Sequence, residues 1–501
     1  MVIGYMLYNS EILNTPDTMN SEDGILFIDD TTILAEGTDY MEMHKKIDGM
    51  LHRNGGILQW ADEHNCSFGI EKFQLIDFTR GKSVTKGMSG IGQPIIVRDH
   101  EIKPQQLAKF LGIIVDQALN WKEQIAAVVA KGEMWISQFR CLVKATKGVN
   151  ATFMQQLYQA IALPRMLYGA DIYLTPTRRH QTTAPNAEPT YNKTVIHKLA
   201  TIQRQAAIII TGTMKTTASA TLDILADLTP MHLIIDKWRQ NAVLALATIP
   251  DRHPLAPMVN KAATCYIMKH PSPLHELLHT YQLKPTELEK IRPIRYLSTW
   301  EPNVSISISK DKEHAIAECG SNNADIQIYT DGSLTDEGVG AAAIVYKNGK
   351  LVARRKAQLG NKNDHMVYEA ECTAMALGIF VVKGRHTKKI TLNVDNQAAI
   401  RSAVEQKSGP GKYIIDEFHK LVDSFRTKNA SMPIEIRWAP GHMGIEGNEE
   451  ANKATKEAAE GQVSVSKQIP GFLRKVLPRS KSAAKQEFRM VVKAATKEVW
   501  S

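Results

Sequence analysis

The dipeptide Asn348-Gly349 constrains this chain more than any other short feature. It stands between two apolar runs, residues 339–346 and 351–358. The tightest hairpin turns need positive φ at both central residues, which Asn and Gly tolerate, so the two runs read as antiparallel strands. The pattern stays legible around them. Ile326 and Ile328 alternate with polar neighbours up to Asp331-Gly332-Ser333. Asn363 or Asp364 is placed to cap a helix running to about Val382, with Ala370, Ala374, Leu377 and Val381 on one face. Ile390, Leu392 and Val394 alternate again and stop at Asp395. Helices over 396–405 and 412–425 follow, parted by Ser408-Gly409-Pro410-Gly411. Ile434 and Ile436 lead a last strand into Trp438, and 447–459 is a final helix. The order β-β-β-α-β-α-α-β-α predicts an α/β (α+β) fold: a mixed five-stranded sheet with helices packed on it.

The carboxylates matter by position. Asp331 and Asp395 each follow an apolar strand. If those strands are parallel neighbours, both acids lie at one edge of the sheet, where α/β folds place their sites. Glu371 lies early in the intervening helix, which packs back over the sheet and can deliver a third. Any one of these acids alone reads as an ordinary surface residue. Three together repel unless cations sit among them, and hard oxygen ligands favour Mg²⁺ or Mn²⁺. Two such ions can activate a water and stabilise the leaving oxygen in phosphodiester cleavage.

The segments Tyr329-Thr330-Asp331-Gly332-Ser333, Tyr368-Glu369-Ala370-Glu371, Val394-Asp395-Asn396 and the run from Trp438-Ala439-Pro440-Gly441-His442 through Gly447-Asn448-Glu449 resemble, in order and spacing, the motifs of type 1 RNase H domains. The resemblance implies hydrolysis of the RNA strand of an RNA–DNA hybrid, with nucleic acid as partner and two Mg²⁺ or Mn²⁺ ions as cofactor. It implies Asp331, Glu371 and Asp395 as metal ligands, and His442 as a proton shuttle or product-release aid. The family's aromatic three residues before the ligand, here Tyr368, selects Glu371 over Glu369. Glu369 is then expected to be a solvated helix residue. One position departs from the pattern: Asn452 stands where the family carries a fourth acid. Its amide oxygen can still ligate a cation but brings no charge, so one metal site is expected to be weaker.

Ahead of this region the reading is coarser. Residues 24–27 and 31–35 read as two short strands flanking Asp29 and Asp30, and 40–61 as one amphipathic helix. Strand-like pieces fall at 73–78 and 110–115, and helices fill 121–235 around a polar loop at 175–190. Within that stretch, 206–211 leaves helix or strand open. Residues 250–323, rich in Pro, His and charge, read as connection and linker. Phe27-Ile28-Asp29-Asp30, Phe110-Leu111-Gly112-Ile113, Leu119-Asn120-Trp121, Pro164-Arg165-Met166-Leu167-Tyr168-Gly169 and Ile202-Gln203-Arg204 are similar to reverse transcriptase palm and thumb segments of non-LTR (LINE-type) retrotransposons. The resemblance implies that Asp29 and Asp30 are a vestigial polymerase metal turn. A palm also needs an aspartate from an earlier strand, and the chain starts downstream of it, so no polymerase activity is expected from this chain alone.

The expected organisation is a partial palm at 1–120, a helical thumb and connection at 121–250, a linker at 251–324, the RNase H domain at 325–462 and a basic tail at 463–501. A formal charge of +9 over 501 residues is compatible with a polyanionic partner. The tail's cations either track phosphates or belong to a solvated basic helix or a disordered end. Five scattered cysteines with no C-x-x-C pair argue against a zinc knuckle or disulfide framework and for an intracellular, reducing compartment, cytoplasm or nucleus. The short apolar start, 1–8, lacks the basic flank of a signal peptide, and no apolar run reaches membrane length. Two functions remain: a metal-dependent hybrid ribonuclease, or a catalytically weak or inactive nucleic-acid-binding relic of one.

Overall fold

A computed structural model of the chain describes residues 2–78, 93–143, 148–175, 192–266, 271–383, 387–427 and 432–500. They form two compact units, 1–142 and 143–501.

In the first unit, strands Glu22–Phe27 and Asp30–Ala35 pair antiparallel, and Phe27 opposite Asp30 closes the turn. Ile28 takes φ 61° there, and Asp29 and Asp30 are both exposed. The helix expected over 40–61 is two helices, Tyr40–His52 and Ile57–Glu63. Gly55 at φ 73° turns the chain between them, and a Cβ on Gly56 would lie 2.7 Å from the Arg53 carbonyl. Periodicity alone carried the pattern across this break. Leu51, Ile57, Trp60, Leu75, Ile95 and Val97 form a small core. The strand expected at 110–115 is a hairpin, Leu107–Phe110 with Ile113–Asp116, because Leu111 and Gly112 both take positive φ. Only Leu75–Ile76 of the 73–78 piece is strand. The helix Lys122–Arg140 falls within this unit.

The second unit begins with helices, among them Lys193–Thr211 and Met231–Ala247. Residues 206–211 are helical, with Ala206, Ala207 and Ile210 buried. The stretch expected to be linker is instead structured. It contains helices Ala256–Thr264 and Pro273–Thr280, and its Val259, Leu277, Leu278 and Leu288 share a core with Val243 and Leu244. Helices this short show too few turns for their periodicity to stand out among Pro and His.

The same stretch supplies an extra strand. We label β1 Ser305–Ser307, α1 Lys312–Gly320, β2 Ile326–Leu334, β3 Val339–Lys347, β4 Lys350–Gly360, α2 Val367–Val382, β5 Ile390–Val394, α3 Gln397–Ser402, α4 Lys412–Arg426, β6 Ile434–Trp438, α5 Glu446–Ala459 and α6 Lys481–Trp500. The sheet has six strands rather than five, in the order β4-β3-β2-β5-β6-β1. Strands β2, β3 and β4 meander antiparallel; β5, β6 and β1 run parallel to β2. Asn348 (φ 49°) and Gly349 (φ 73°) make the expected turn. On one face the main core joins Ile326, Ile328 and Ala343 to α2 and α4, whose Ile414, Phe418, Val422 and Phe425 recur at helical spacing. On the other face α5 packs Ala451 and Ala454 against Tyr329 and Ile344.

The C-terminal residues are anchored at their start and end in the helix α6, whose Arg489, Lys493 and Lys497 are exposed, as the basic-helix alternative expects. Ile469 and Leu477 enter the sheet's core, and Ala484 of α6 joins the core of the preceding helices. Among the described residues, no helix is long and apolar enough to cross a membrane.

Candidate active site

Strand pairing decides where the acids go. In the parallel β2–β5 ladder Thr330 lies opposite Val394, so Asp331 and Asp395 occupy equivalent next positions on neighbouring strands. Helix α2 delivers Glu371, and it can do so only because β2 carries Gly332. A Cβ there would sit 2.6 Å from the Glu371 nitrogen and 2.8 Å from the Ala370 Cβ. One turn pair further along, Gly378 lets α2 settle on Ile328. The result is a single convergence. Asp331, Glu371 and Asp395 each offer an oxygen, and all three oxygens lie within 4.8 Å of one another.

This is a costly arrangement without a counter-charge. Burial, and then the Asp395 charge, push the Asp331 carboxyl up to about 6. Glu371, 3% exposed, is driven well above the usual carboxylate range by burial, then by Asp395 and Asp331. Asp395 is raised by burial and relieved by a hydrogen bond from Glu371. Even so, Glu371 Oε2 and Asp395 Oδ1 are buried with no hydrogen-bond partner. Orphaned carboxylate oxygens converging on one point are the donor set a hard divalent cation takes, so the residues fit such an ion. Among the described residues, no second group of three His, Cys, Asp or Glu converges this way, and Asp29 and Asp30 gather no third ligand.

The loop after β6 closes one side. Trp438 Nε1 donates to the Asp395 carbonyl at 3.1 Å, and Ala439 N donates to the Val394 carbonyl at 2.9 Å. Asn448 Nδ2 donates to the Ala439 and Pro440 carbonyls at 3.3 and 3.4 Å, tying the loop to the first turn of α5. Gly441 brings the backbone against Asp395: a Cβ there would lie 3.1 Å from Oδ2. His442 is exposed at φ 58°, and its charge lowers the pKa of both Asp331 and Asp395.

Asn452 sits half-buried on α5. Thr455, one turn on, donates to the Asp331 carbonyl at 3.3 Å and to the Gly340 carbonyl at 2.9 Å. Gly340 permits this approach, since a Cβ would meet the Thr455 carbonyl at 2.3 Å. Residues three and four apart share a helix face, so Asn452, Thr455 and Lys456 address the same part of the sheet. Lys456 was not singled out in the sequence, yet its charge also lowers the Asp331 pKa. Its spacing from Asn452 was the available signal.

Glu369 overturns an expectation. It is 1% exposed, not solvated. Helix α2 starts at Val367, later than a cap at 363 or 364 would place it, so Glu369 falls in the first turn. There its carboxylate accepts from Met366 N at 2.9 Å and faces His365 Nδ1 at 3.5 Å.

Fold and site together define a mixed α/β domain with a trio of carboxylates at the edge of its parallel strands. Residues 323–460 match the RNase H family model. Similar solved structures include the N-terminal RNase H domain of a Mycobacterium tuberculosis protein fused to maltose-binding protein, at 18% identity and TM-score 0.23, covering 28% of this chain and 100% of that one. Another is RNase H1 of the halophilic archaeon Halobacterium salinarum, at 16% identity and TM-score 0.22, covering 27% of this chain and 98% of that one. No curated protein matches the chain.

Proposed function

We propose that residues 325–462 hydrolyse the RNA strand of RNA–DNA hybrids, with Asp331, Glu371 and Asp395 as ligands for two Mg²⁺ or Mn²⁺ ions and the Asn452 amide as a neutral fourth. The observation that carries this reading is the convergence of three oxygens within 4.8 Å, two of their carboxylates holding orphaned buried oxygens. Bound ions would activate the attacking water and stabilise the leaving oxygen. The chain's own residues do the rest. Gly332 and Gly378 hold α2 close enough to present Glu371. His442 stands exposed on the positive-φ loop, where it can take or give a proton at the edge of the acidic trio. Lys456 adds positive charge beside Asp331, where a phosphodiester would approach.

We propose that the region before this domain is related to the palm and thumb of a non-LTR retrotransposon reverse transcriptase, on the sequence resemblance and on a hairpin turn carrying Asp29 and Asp30. Polymerase activity is not part of the proposal, since no third acid joins that pair among the described residues. An intracellular setting fits cysteines that are all free.

The test is cleavage of a labelled RNA–DNA hybrid by the full chain in Mg²⁺ and in Mn²⁺, beside Asp331→Asn and Asn452→Asp. Cleavage that disappears in Asp331→Asn supports the enzyme. Asn452 favours a second reading, a hybrid-binding domain with weak or no catalysis. Cleavage by none of the three proteins would select it.

A further inference from the structure

A cavity of about 420 Å³ opens in the second unit between residues 286–295 and the start of α4. It lies apart from the carboxylate trio, and much of its wall precedes the region matched by the family model. Its charged lining is Lys290, Arg292, Arg295 and Lys412 against Asp251 and Asp416.

Asp416 is already engaged. Arg295 Nε and one terminal nitrogen donate to it at 3.0 and 2.7 Å, and the Tyr296 hydroxyl at 2.7 Å. Arg295 also donates to the Glu405 and Lys407 carbonyls at 3.1 and 3.2 Å. That pair is a fixed, neutral floor. The other two half-buried cations have neutral partners, Lys290 donating to the Ala247 carbonyl at 3.2 Å and Lys412 to the Ser402 hydroxyl at 2.6 Å, and only distant counter-charges. Lys290 lies 3.9 Å from an Asp251 carboxylate that is mostly in water, and Lys412 lies 3.7 Å from Glu405. Burial lowers the pKa of both amines, as it does for ammonium groups short of solvent and counter-charge. Arg292 is exposed at the rim, and its guanidinium has no ion pair among the described residues.

The remaining wall is of another kind. Leu288, Ile291 and Pro478 contribute apolar surface, and Tyr413 contributes a ring whose hydroxyl is buried with no hydrogen-bond partner. A lone phosphate would leave the apolar wall and the Tyr413 side chain unused. A volume of this size, with a charged side and an apolar side, suits a small organic ligand that carries a charge. Bases stack on aromatic rings, and phosphates pair with Arg and Lys.

We propose that this cavity binds one nucleotide, its phosphate toward Arg292 and Lys290 and its base against Tyr413 and the apolar wall. The proposal goes beyond the ribonuclease reading and does not depend on it.

The experiment is calorimetric titration of the full chain with adenosine 5′-monophosphate, inorganic phosphate and adenosine, all in EDTA. Excluding metal keeps the carboxylate trio out of the signal, so this result is separate from success or failure of the nuclease assay. The nucleotide should bind one to one, and each fragment roughly tenfold or more weakly. Arg292→Glu changes an exposed, unpaired side chain and should weaken nucleotide binding by about tenfold or more. Tyr413→Leu, which removes the aromatic face proposed to meet the base, should also weaken it. No nucleotide binding at millimolar concentration, or unchanged affinity in Arg292→Glu, would overturn the proposal. A short RNA–DNA hybrid added to the bound state distinguishes the sources: release of the nucleotide assigns the pocket to a strand, and retention assigns it to free nucleotide.

Discussion

Replacing Gly332 by alanine tests the claim that a missing side chain positions Glu371. The added Cβ would lie 2.6 Å from the Glu371 nitrogen, 2.8 Å from the Ala370 Cβ and 2.9 Å from the Ala370 carbonyl carbon. Ordinary contact needs about 3.5 Å, so helix and strand must part by about 1 Å. None of the three atoms belongs to a flexible side-chain end. Ala370, Cys372 and Ala374 are all fully buried, so α2 has no slack toward the core. Overpacking of this kind costs about 1–3 kcal/mol of stability. The functional loss should be larger than the stability loss implies, because Glu371 rides on the displaced turn. A misplacement of about 1 Å in a catalytic group costs on the order of 100-fold in rate. Urea unfolding, Mn²⁺ titration and hybrid cleavage would be measured on the same preparation. Gly320→Ala is the control: its added methyl meets nothing within 4 Å at the end of α1, and it should unfold no more easily than the parent. Native-like stability and unchanged Mn²⁺ affinity in Gly332→Ala would refute the argument.

Asn452→Asp restores a fourth charge and should raise Mn²⁺ affinity by at least about tenfold, read by calorimetry, because ligand charge sets affinity at oxygen sites. Phe418→Ala empties a fully buried position between α4 and the sheet and should lower the urea unfolding free energy by about 3–5 kcal/mol. Glu289, 1% exposed, accepts from Gly411 N and Lys481 N at 2.7 Å each, yet burial pushes its carboxyl up to about 7. A raised carboxyl contributes stability that is fully present below the unfolded value and is lost as pH rises through about 7, on the order of 3 kcal/mol. His419 has the opposite sign: burial pulls it down to about 4, so its contribution is present above the unfolded value and lost as pH falls toward 4. Unfolding followed across this range should therefore gain a rising slope in Glu289→Gln and a falling one in His419→Gln; parallel profiles for parent and variants would count against both assignments.

Much of the sheet was legible because its signals are local. Asn348-Gly349 names its own turn, and the alternation at Ile390, Leu392 and Val394 names a buried strand. The pairing of β2 with β5 was a condition in the sequence and becomes a register in the structure, Thr330 opposite Val394. What stayed hidden depends on long-range contact. Strand β1 has three residues and is a strand only because Glu435–Arg437 lies beside it. Glu369 looked like any helix-surface acid until the start of α2 at Val367 turned it into a buried first-turn acceptor. The tail read as a charge run because its cations are conspicuous. Ile469, Leu477 and Ala484, which hold it to two cores, are too sparse to form a pattern.

The same geometry gives Asn452 a physical sense. Glycines at 332, 340 and 378 let α2 and α5 close on the sheet until three acids share one edge, and desolvation then sets those acids against one another. Among the described residues, the positive groups His442 and Lys456 act on Asp331, and both are exposed. A fourth carboxylate at 452, one turn from the hydroxyl that bonds the Asp331 carbonyl, would add repulsion to a cluster whose oxygens already lack partners. With a cation bound, that charge strengthens the site; without one, it weakens the fold. An amide removes the repulsion and retains an oxygen donor, so the substitution moves the balance toward a domain that is stable without metal and grips it less firmly. Raised metal affinity and lowered metal-free stability in Asn452→Asp are therefore two readings of one interaction, and they must appear together.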